Sequence, residues 1–468
     1  SEGIERVMVN GQWALVREAL RERATVLSLA PHLAQPLRFC VPLDGPWSLL
    51  RMGLGLGLYQ AMAGRHRLGD LRWLDAAQTA RGLPPDVPAA RGGLQYWDGQ
   101  FEDARLALAL ARSAHVQGAS LRNHTRLSAL QPQEGLWRAQ LDDGLNGQSQ
   151  EVLARCVVQA TGVWVDELRS LWSQAGAGPG PAQPPWVRVS QGVHLVIPQA
   201  RLPLQQALLV PQTADGRVFF ALPWLGAVVL GTTDTPRSDA PAEPQAFGHE
   251  IRTLMQQAER SLGLRLKRED LRSVWVGLRP LVADPASGGP TSGGPTSDMS
   301  REHRIWCQAP GLHVVTGGKW TTYRQIGQEV VEGLCAEGRV SAPRASASAS
   351  HRLVGAPPAG DPAVPLSQAP GLHLWGTLAA DVQALPGRDR QLGLGLTEAM
   401  VRYSARHEWA LSTEDMLARR WRALFLDAAQ ARRMAPAVAE LLWQETGIDP
   451  RLDDFLALCE HYQAPADL

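Results

Sequence analysis

Lysine is almost absent from this sequence: of 46 Lys and Arg side chains only Lys267 and Lys319 are lysines, and arginine supplies the rest. Charge of one sign is lacking too. The 46 basic groups offset 46 Asp and Glu, so no basic field favours nucleic acid and no acidic field marks a solvating tail. Cysteine is sparse, with five residues (Cys40, Cys156, Cys307, Cys335, Cys459) scattered and without CxxC spacing. That pattern points to a reduced, cytoplasmic setting with neither disulfides nor a metal cluster. No apolar run reaches the roughly 20 residues of a membrane helix, and the first residues contain no signal-type apolar stretch. The nearest candidate, residues 52–63, is broken by glycines and Gln60 and flanked by Arg51 and Arg65, which suits a buried or interfacial helix. The expectation is a soluble or peripheral protein whose 468 residues suffice for two or three domains.

What is present centres on residues 311–324, GLHVVTGGKWTTYR. His313 to Thr316 reads as a short buried strand, Gly317 and Gly318 as a sharp turn or a close approach to a ligand, and Thr321 and Thr322 as the opening of a helix. A helix start offers free N–H groups and a positive dipole end, and Lys319 adds a charge there, so an electron-rich ligand is expected. A thin ammonium retained in an arginine-biased chain fits a site with room for a point charge only.

Asn10 is placed to cap a first helix from Trp13 to Leu27. The glycines at 53, 55 and 57 lack the spacing and the preceding strand of a nucleotide loop, so that reading is rejected. A helix is predicted from Gly99 to Gln117, then strand at 119–121 and again at 137–141. The apolar run at 156–164 ends in Ala160-Thr161-Gly162, the kind of strand end at which α/β sheets collect ligands. Residues 174–185 read as a surface connection. The runs 192–198, 217–222 and 227–231 then predict an antiparallel sheet, the last two joined by a hairpin at 223–226. His194 lies inside the first of these strands. Arg279 stands among apolar neighbours just before a proline, where an anion would explain an arginine. Residues 285–297 read as a flexible inserted loop and 341–360 as an interdomain linker. Three helices are predicted at 397–410, 412–429 and 435–445, with Ser412 and Asp415 as a capping pair and Pro436 in a first turn. Arg402, Arg406, Arg419, Arg420, Arg422, Arg432 and Arg433 make these helices basic, either as solvated faces or as a surface for an anionic partner.

Taken together, GVHLVIP, GTTDT, GLRPLV, SREH, TGGKWTTYR and TEDMLARRWRALFLD, with LVREALRER, APHL and YWDGQFEDARL, closely resemble the FAD-dependent glycerol-3-phosphate dehydrogenases over nearly the whole chain. The resemblance implies an α/β FAD-dependent oxidoreductase fold: a Rossmann-like FAD part interleaved with a mixed or antiparallel substrate-binding sheet over residues 1–340, the linker at 341–360, and an all-helical domain at 361–468. Relative to that family, the chain enters after the strand, GxGxxG turn and helix that hold the ADP half of FAD. Glu2-Gly3-Ile4-Glu5-Arg6-Val7 stands where the family has HGGLRY, so Arg6 matches a substrate-contacting arginine and Val7 replaces a tyrosine. A truncated FAD domain that holds little FAD is therefore expected.

By resemblance, the reaction is oxidation of sn-glycerol 3-phosphate to dihydroxyacetone phosphate with hydride transfer to FAD, electrons passing to a quinone or other acceptor. His194 is expected to be the base and Arg279 to polarise the developing carbonyl. Arg6, Arg301 and Lys319 are expected at the substrate. Ala160, Thr161, Gly162, Gly317, Gly318, Lys319 and Thr321 are expected at FAD, with no metal. Peripheral contact with the inner face of the cell membrane and a homodimer complete the expected partners. Two other readings remain: a non-catalytic remnant serving as a binding module, and an amine or amino-acid oxidase of the same broad fold, which would not need several phosphate-binding arginines.

Overall fold

The computed structural model describes residues 13–43, 45–84, 87, 90–174, 185–211, 218–283, 302–341, 345–466 and 468. Asn10, Arg6 and Arg301, the inserted loop at 285–297 and most of the connection at 174–185 lie outside the described residues.

The first helix, Trp13–Leu29, buries Leu20, Val26 and Leu29. Two of its charged side chains, Glu22 and Arg23, are also buried, and each has a partner that accounts for this. Glu22 receives both Nε and Nη2 of Arg324, each at 2.7 Å, and Arg23 meets Asp98 at 3.0 Å. The GLGLGL run lies within the helix Pro46–Ala63, in agreement with its rejection as a nucleotide loop. Trp47, Leu50 and Leu54 on this helix are exposed, and so is Trp73, whose ring packs over Gly53.

Among the described residues the main sheet has nine strands, and its centre is antiparallel. Strand Val187–Pro198 carries His194 and pairs on one side with Ala227–Gly231 and Thr235–Arg237, on the other with Ser273–Val282. Phe219–Trp224 and Ala227–Gly231 form the expected hairpin around Leu225 and Gly226, both at positive φ (47° and 78°), as a two-residue hairpin turn requires. Alternation along the central strands buries Val193, Leu195 and Ile197 against Ile251, Leu254 and Ala258 of the helix Gly248–Leu262. The opposite face presents His194, Trp275 and Phe220 toward the C-terminal region. A second, three-stranded sheet places Leu312–Gly317 parallel to Val157–Gln159 and antiparallel to His303–Ala309.

Several boundaries differ from the sequence reading. Residues Gly92–Phe101 are a strand and the helix begins only at Asp103, because Glu102 caps it by accepting the Arg105 N–H. Residues 119–121 are not strand. The next strand is Thr125–Gln133, followed by Leu136–Asp143. Pro436 lies inside the helix Ala428–Thr446, not in its first turn, since Asp427 caps the helix start well before it by accepting the Gln430 N–H at 2.8 Å. Ser412 and Asp415 do form a reciprocal cap, with Asp415 N–H to Ser412 Oγ at 3.0 Å and Ser412 N–H to Asp415 Oδ2 at 3.1 Å. A six-residue π-helical turn, Asp415–Arg420, follows in place of a regular helix.

The C-terminal helices share one core with the body. Trp375, Trp421, Leu424 and Val438 pack in the same cluster as Val26, Leu29 and Trp224. Leu353 of the segment 345–360 joins it: Leu353 is buried and donates its N–H to Leu29 O, and the neighbouring Val354 donates to Ser113 Oγ. A buried ion pair ties the two parts, with Arg105 Nη1 and Nη2 meeting Glu408 at 2.9 and 3.0 Å and Arg112 adding a contact at 3.4 Å. Burial opposes ionisation of Glu408, but these two guanidiniums hold its pKa below the usual carboxylate range. Most of the basic helix faces are paired internally: Arg402 and Arg406 with Glu445, Arg419 with Glu243 and Glu414, Arg420 with Asp415, Arg422 with Glu102, and Arg432 with Glu460.

The same domain covers the edge of the main sheet. Ser273 Oγ donates to Leu424 O at 3.0 Å, Val274 N–H to Tyr462 O at 2.8 Å and Ala428 N–H to Arg272 O at 3.0 Å. These contacts grip the start of the strand that carries Arg279.

Candidate active site

His194 and Arg279 come together on one face of the main sheet. In the antiparallel register His194 faces Trp275, Gly192 faces Gly277 and Ser190 faces Arg279, and directly paired residues share a face. The His194 ring stacks on Trp275 with centroids 4.1 Å apart. The Arg279 guanidinium bends back over Gly192, so close that a Cβ there would stand 2.1 Å from Nη2. Its holders are the residues of GTTDT: Nη2 donates to Thr232 Oγ1 and Thr233 O at 3.2 Å, and Nη1 pairs with Asp234 at 3.3 Å. That motif carried the resemblance without an assigned role, and its role is to aim the guanidinium.

Burial, and secondarily the positive charge of Arg279, lower the His194 pKa to about 3. The imidazole is therefore neutral near pH 7 and has a lone pair to accept a proton. His194 Nδ1 and Trp275 Nε1 are buried without a hydrogen-bond partner, an arrangement that natural cores avoid unless a ligand or water supplies the bond. Beside them, Gly277 is exposed and a Cβ there would meet nothing within 4 Å. Two polar atoms in need of partners, a fixed cation and an open glycine floor make a site for a small polar molecule. Sequence reasoning missed Asp234, Trp275 and Gly277, and GTTDT was the one available signal.

The other expected residues gather at the second sheet. The parallel strands Val157–Gln159 and Leu312–Gly317 end side by side, and Thr316 Oγ1 donates to Gly162 O at 3.3 Å. Ala160, Thr161 and Gly162 follow the carboxyl end of one parallel strand, where open α/β sheets bind ligands, and Gly162 lies against the other strand where it runs into Gly317 and Gly318. Gly162 has φ +57° and open space where a Cβ would be, so backbone there is accessible to a phosphate-rich group. Gly317 and Gly318 also have positive φ, but their Cβ positions are taken by Val282, Glu302 O, His303 and Ile326. Close packing of the chain on itself accounts for those two glycines. Lys319 is exposed and precedes a 3-10 turn, Trp320–Thr322, that leads into the helix Tyr323–Ala336. Thr322 returns its N–H to Lys319 O at 3.0 Å, and Thr321 is half-buried in this turn.

A cavity of about 580 Å³ is lined by Ala160, Thr161, Gly162 and Trp164 together with Val276 and Leu278. Val276 and Leu278 alternate with Trp275, Gly277 and Arg279, so this cavity lies on the other face of the strand from His194. His194 and Arg279 thus stand apart from this cavity, which marks space at the strand ends.

The sequence pattern of the FAD dependent oxidoreductases matches residues 4–332, and that of the C-terminal domain of alpha-glycerophosphate oxidase matches residues 372–452. The chain is 32% identical to the mitochondrial glycerol-3-phosphate dehydrogenase SDP6 of Arabidopsis thaliana, over 94% of this chain and 74% of that one. It is also 32% identical to the human mitochondrial glycerol-3-phosphate dehydrogenase, over 94% of this chain but 62% of the human protein. The glycerol-3-phosphate dehydrogenase of Bacillus halodurans, solved with FAD, shares the fold with a TM-score of 0.74 at 23% identity, over 96% of this chain and 86% of that one. The chain belongs to the FAD-dependent oxidoreductase family, in its glycerol-3-phosphate dehydrogenase branch.

Proposed function

We propose that the protein oxidises sn-glycerol 3-phosphate to dihydroxyacetone phosphate with FAD as cofactor and a quinone-type molecule as the final electron acceptor. The observation that carries this reading is the neutral His194 set beside the Arg279 guanidinium over an open glycine floor. FAD, when bound, supplies the hydride acceptor. His194 takes the proton of the C2 hydroxyl, and Arg279 stabilises negative charge on that oxygen as the carbonyl forms. Arg6 and Arg301, outside the described residues, are assigned to the phosphate, for which guanidinium forks are well shaped. Ala160, Thr161, Gly162 and Thr321 are assigned to the cofactor, Gly317 and Gly318 to the tightly packed turn that leads the chain to it, and Lys319 to its boundary with the substrate.

Among the described residues no helix is long and apolar enough to cross a membrane. The exposed apolar side chains of Trp47, Leu50, Leu54 and Trp73, with Arg51 among them, support peripheral contact with a lipid surface, from which a quinone could be reached. The test is dye-linked oxidation by the FAD-loaded protein. Glycerol 3-phosphate should be turned over with a kcat/KM at least about 100-fold above that for glycerol, because the phosphate contacts orient C2. Equal values for the two alcohols would overturn the substrate assignment.

A further inference from the structure

We propose that Cys307, His313 and Glu337 form a binding site for a zinc-type divalent ion, remote from the active site. The three side chains each bring one donor atom, and these atoms lie within 4.8 Å of one another. They come from three elements. Cys307 is on the strand His303–Ala309, His313 faces it directly on Leu312–Gly317, and Glu337 is the residue that ends the helix Tyr323–Ala336.

The donors are oriented. A register shift between Cys307 and Ala309 is the kind of bulge that re-aims a side chain. Glu337 Oε2 accepts the Gly311 N–H at 3.1 Å, which leaves Oε1 turned to His313 Nε2 at 2.8 Å. Such a second hydrogen bond to a carboxylate is a regular feature of metal ligands. Arg339, the neighbouring cation, directs Nη1 to Gly135 O at 3.1 Å. His313 is 4% exposed, whereas Cys307 and Glu337 are exposed. The buried imidazole is thus the fixed donor, and the other two can close on an ion.

Zinc holds sulfur at about 2.3 Å and nitrogen or oxygen at about 2.0–2.2 Å, which in a tetrahedron puts donors somewhat under 4 Å apart. From a spread within 4.8 Å the widest pair has to close by about 1 Å, while the His313 Nε2–Glu337 Oε1 pair, at 2.8 Å, has to open by about 0.5 Å; rotation of two exposed side chains can deliver both. Thiolate plus imidazole selects zinc-like ions over magnesium or calcium. Three protein donors leave a fourth position for water on the exposed side. His313 lies four residues before Gly317 on its strand, roughly 13 Å at the usual rise, so the ion would clamp the end of the helix to the hairpin and take no part in the oxidation. The spacing 307, 313, 337 matches no local ligand motif, which is why cysteine spacing alone predicted no metal.

The test uses the purified full chain, stripped of metal with a chelator and titrated with Co2+ alone. One equivalent should produce a thiolate-to-cobalt charge-transfer band in the near ultraviolet, and Zn2+ should displace it. Cys307→Ala should abolish the band and weaken Zn2+ binding at least about 100-fold, and Glu337→Gln should weaken binding about 10-fold or more. Cys335→Ala should leave both readouts at wild-type values. No band in the wild type, or a band that persists in Cys307→Ala, would overturn the proposal.

Discussion

Replacing Gly192 with alanine separates the position of the Arg279 charge from its presence. The added Cβ would stand 2.1 Å from Nη2, 2.7 Å from Cζ and 2.7 Å from Thr232 Oγ1, whereas ordinary contact starts at 3.4 Å. The guanidinium must retreat by more than about 1 Å, and it cannot do so while keeping its bonds to Thr232, Thr233 and Asp234. Because the obstructing atoms are side-chain ends, the fold should survive at a cost of about 1–3 kcal/mol, the usual range for overpacking. A displacement of that size at a reacting centre costs about 100-fold in kcat/KM, or about 2.7 kcal/mol of transition-state stabilisation. The companion change Gly277→Ala meets nothing within 4 Å. It should leave stability within about 0.5 kcal/mol and raise KM for glycerol 3-phosphate by filling the floor. Steady-state kinetics with a dye acceptor, alongside urea unfolding, reads both. A folded Gly192→Ala protein with wild-type kcat/KM would refute the role given to Arg279.

His194→Gln should lower kcat about 100-fold with FAD content unchanged, and a wild-type rate would return the residue to a purely structural role. Glu408→Gln should cost about 3–5 kcal/mol in urea unfolding, because it leaves the buried Arg105 without its counter-charge; a loss under about 1 kcal/mol would show that the pair is dispensable. Burial first, then Arg105 and Arg352, hold His32 at about 3, and His194 is held at the same level. Since the unfolded imidazoles titrate near about 6.5, the unfolded chain binds protons that the folded chain refuses between that pH and about 3. Stability is complete above that window and should fall as pH drops through it, by up to about 1.4 kcal/mol per pH unit for each histidine. Urea midpoints at pH 7 and 5, above the main carboxylate range, should show the fall, and a flat profile would exclude it.

The legible parts of the chain were those in which local pattern and tertiary role agree. The β-branched runs around His194 and before Gly317 became strands, the hairpin at Leu225 and Gly226 formed where its glycine allowed it, and Ser412 with Asp415 capped as their spacing promised. The illegible parts are those decided by partners distant in sequence. Gly317 and Gly318 suggested a ligand approach, yet the atoms that demand glycine belong to Val282, Glu302, His303 and Ile326. The arginines of the last hundred residues suggest solvated faces or a surface for an anionic partner, yet carboxylates as remote as Glu102 and Glu243 pair with several of them. Gly277 and Trp275 carry no motif of their own, and only the register with Gly192 and His194 shows what they floor and shield.

Among the described residues the strand that carries Arg279 pairs with only one other strand, Val187–Pro198, and a row of open amides and carbonyls at such a border invites a stray chain to add itself. Tyr462 O takes the Val274 N–H, the Ala428 N–H takes the Arg272 carbonyl just before the strand, and Leu424 O takes the Ser273 hydroxyl, so the start of that row is covered. The helical domain therefore acts as a guard of the border even though none of the proposed reacting groups belongs to it. Its deletion would uncover a strand ready to pair between molecules, so the shortened protein should accumulate as aggregates, with the loss of catalysis following from self-association.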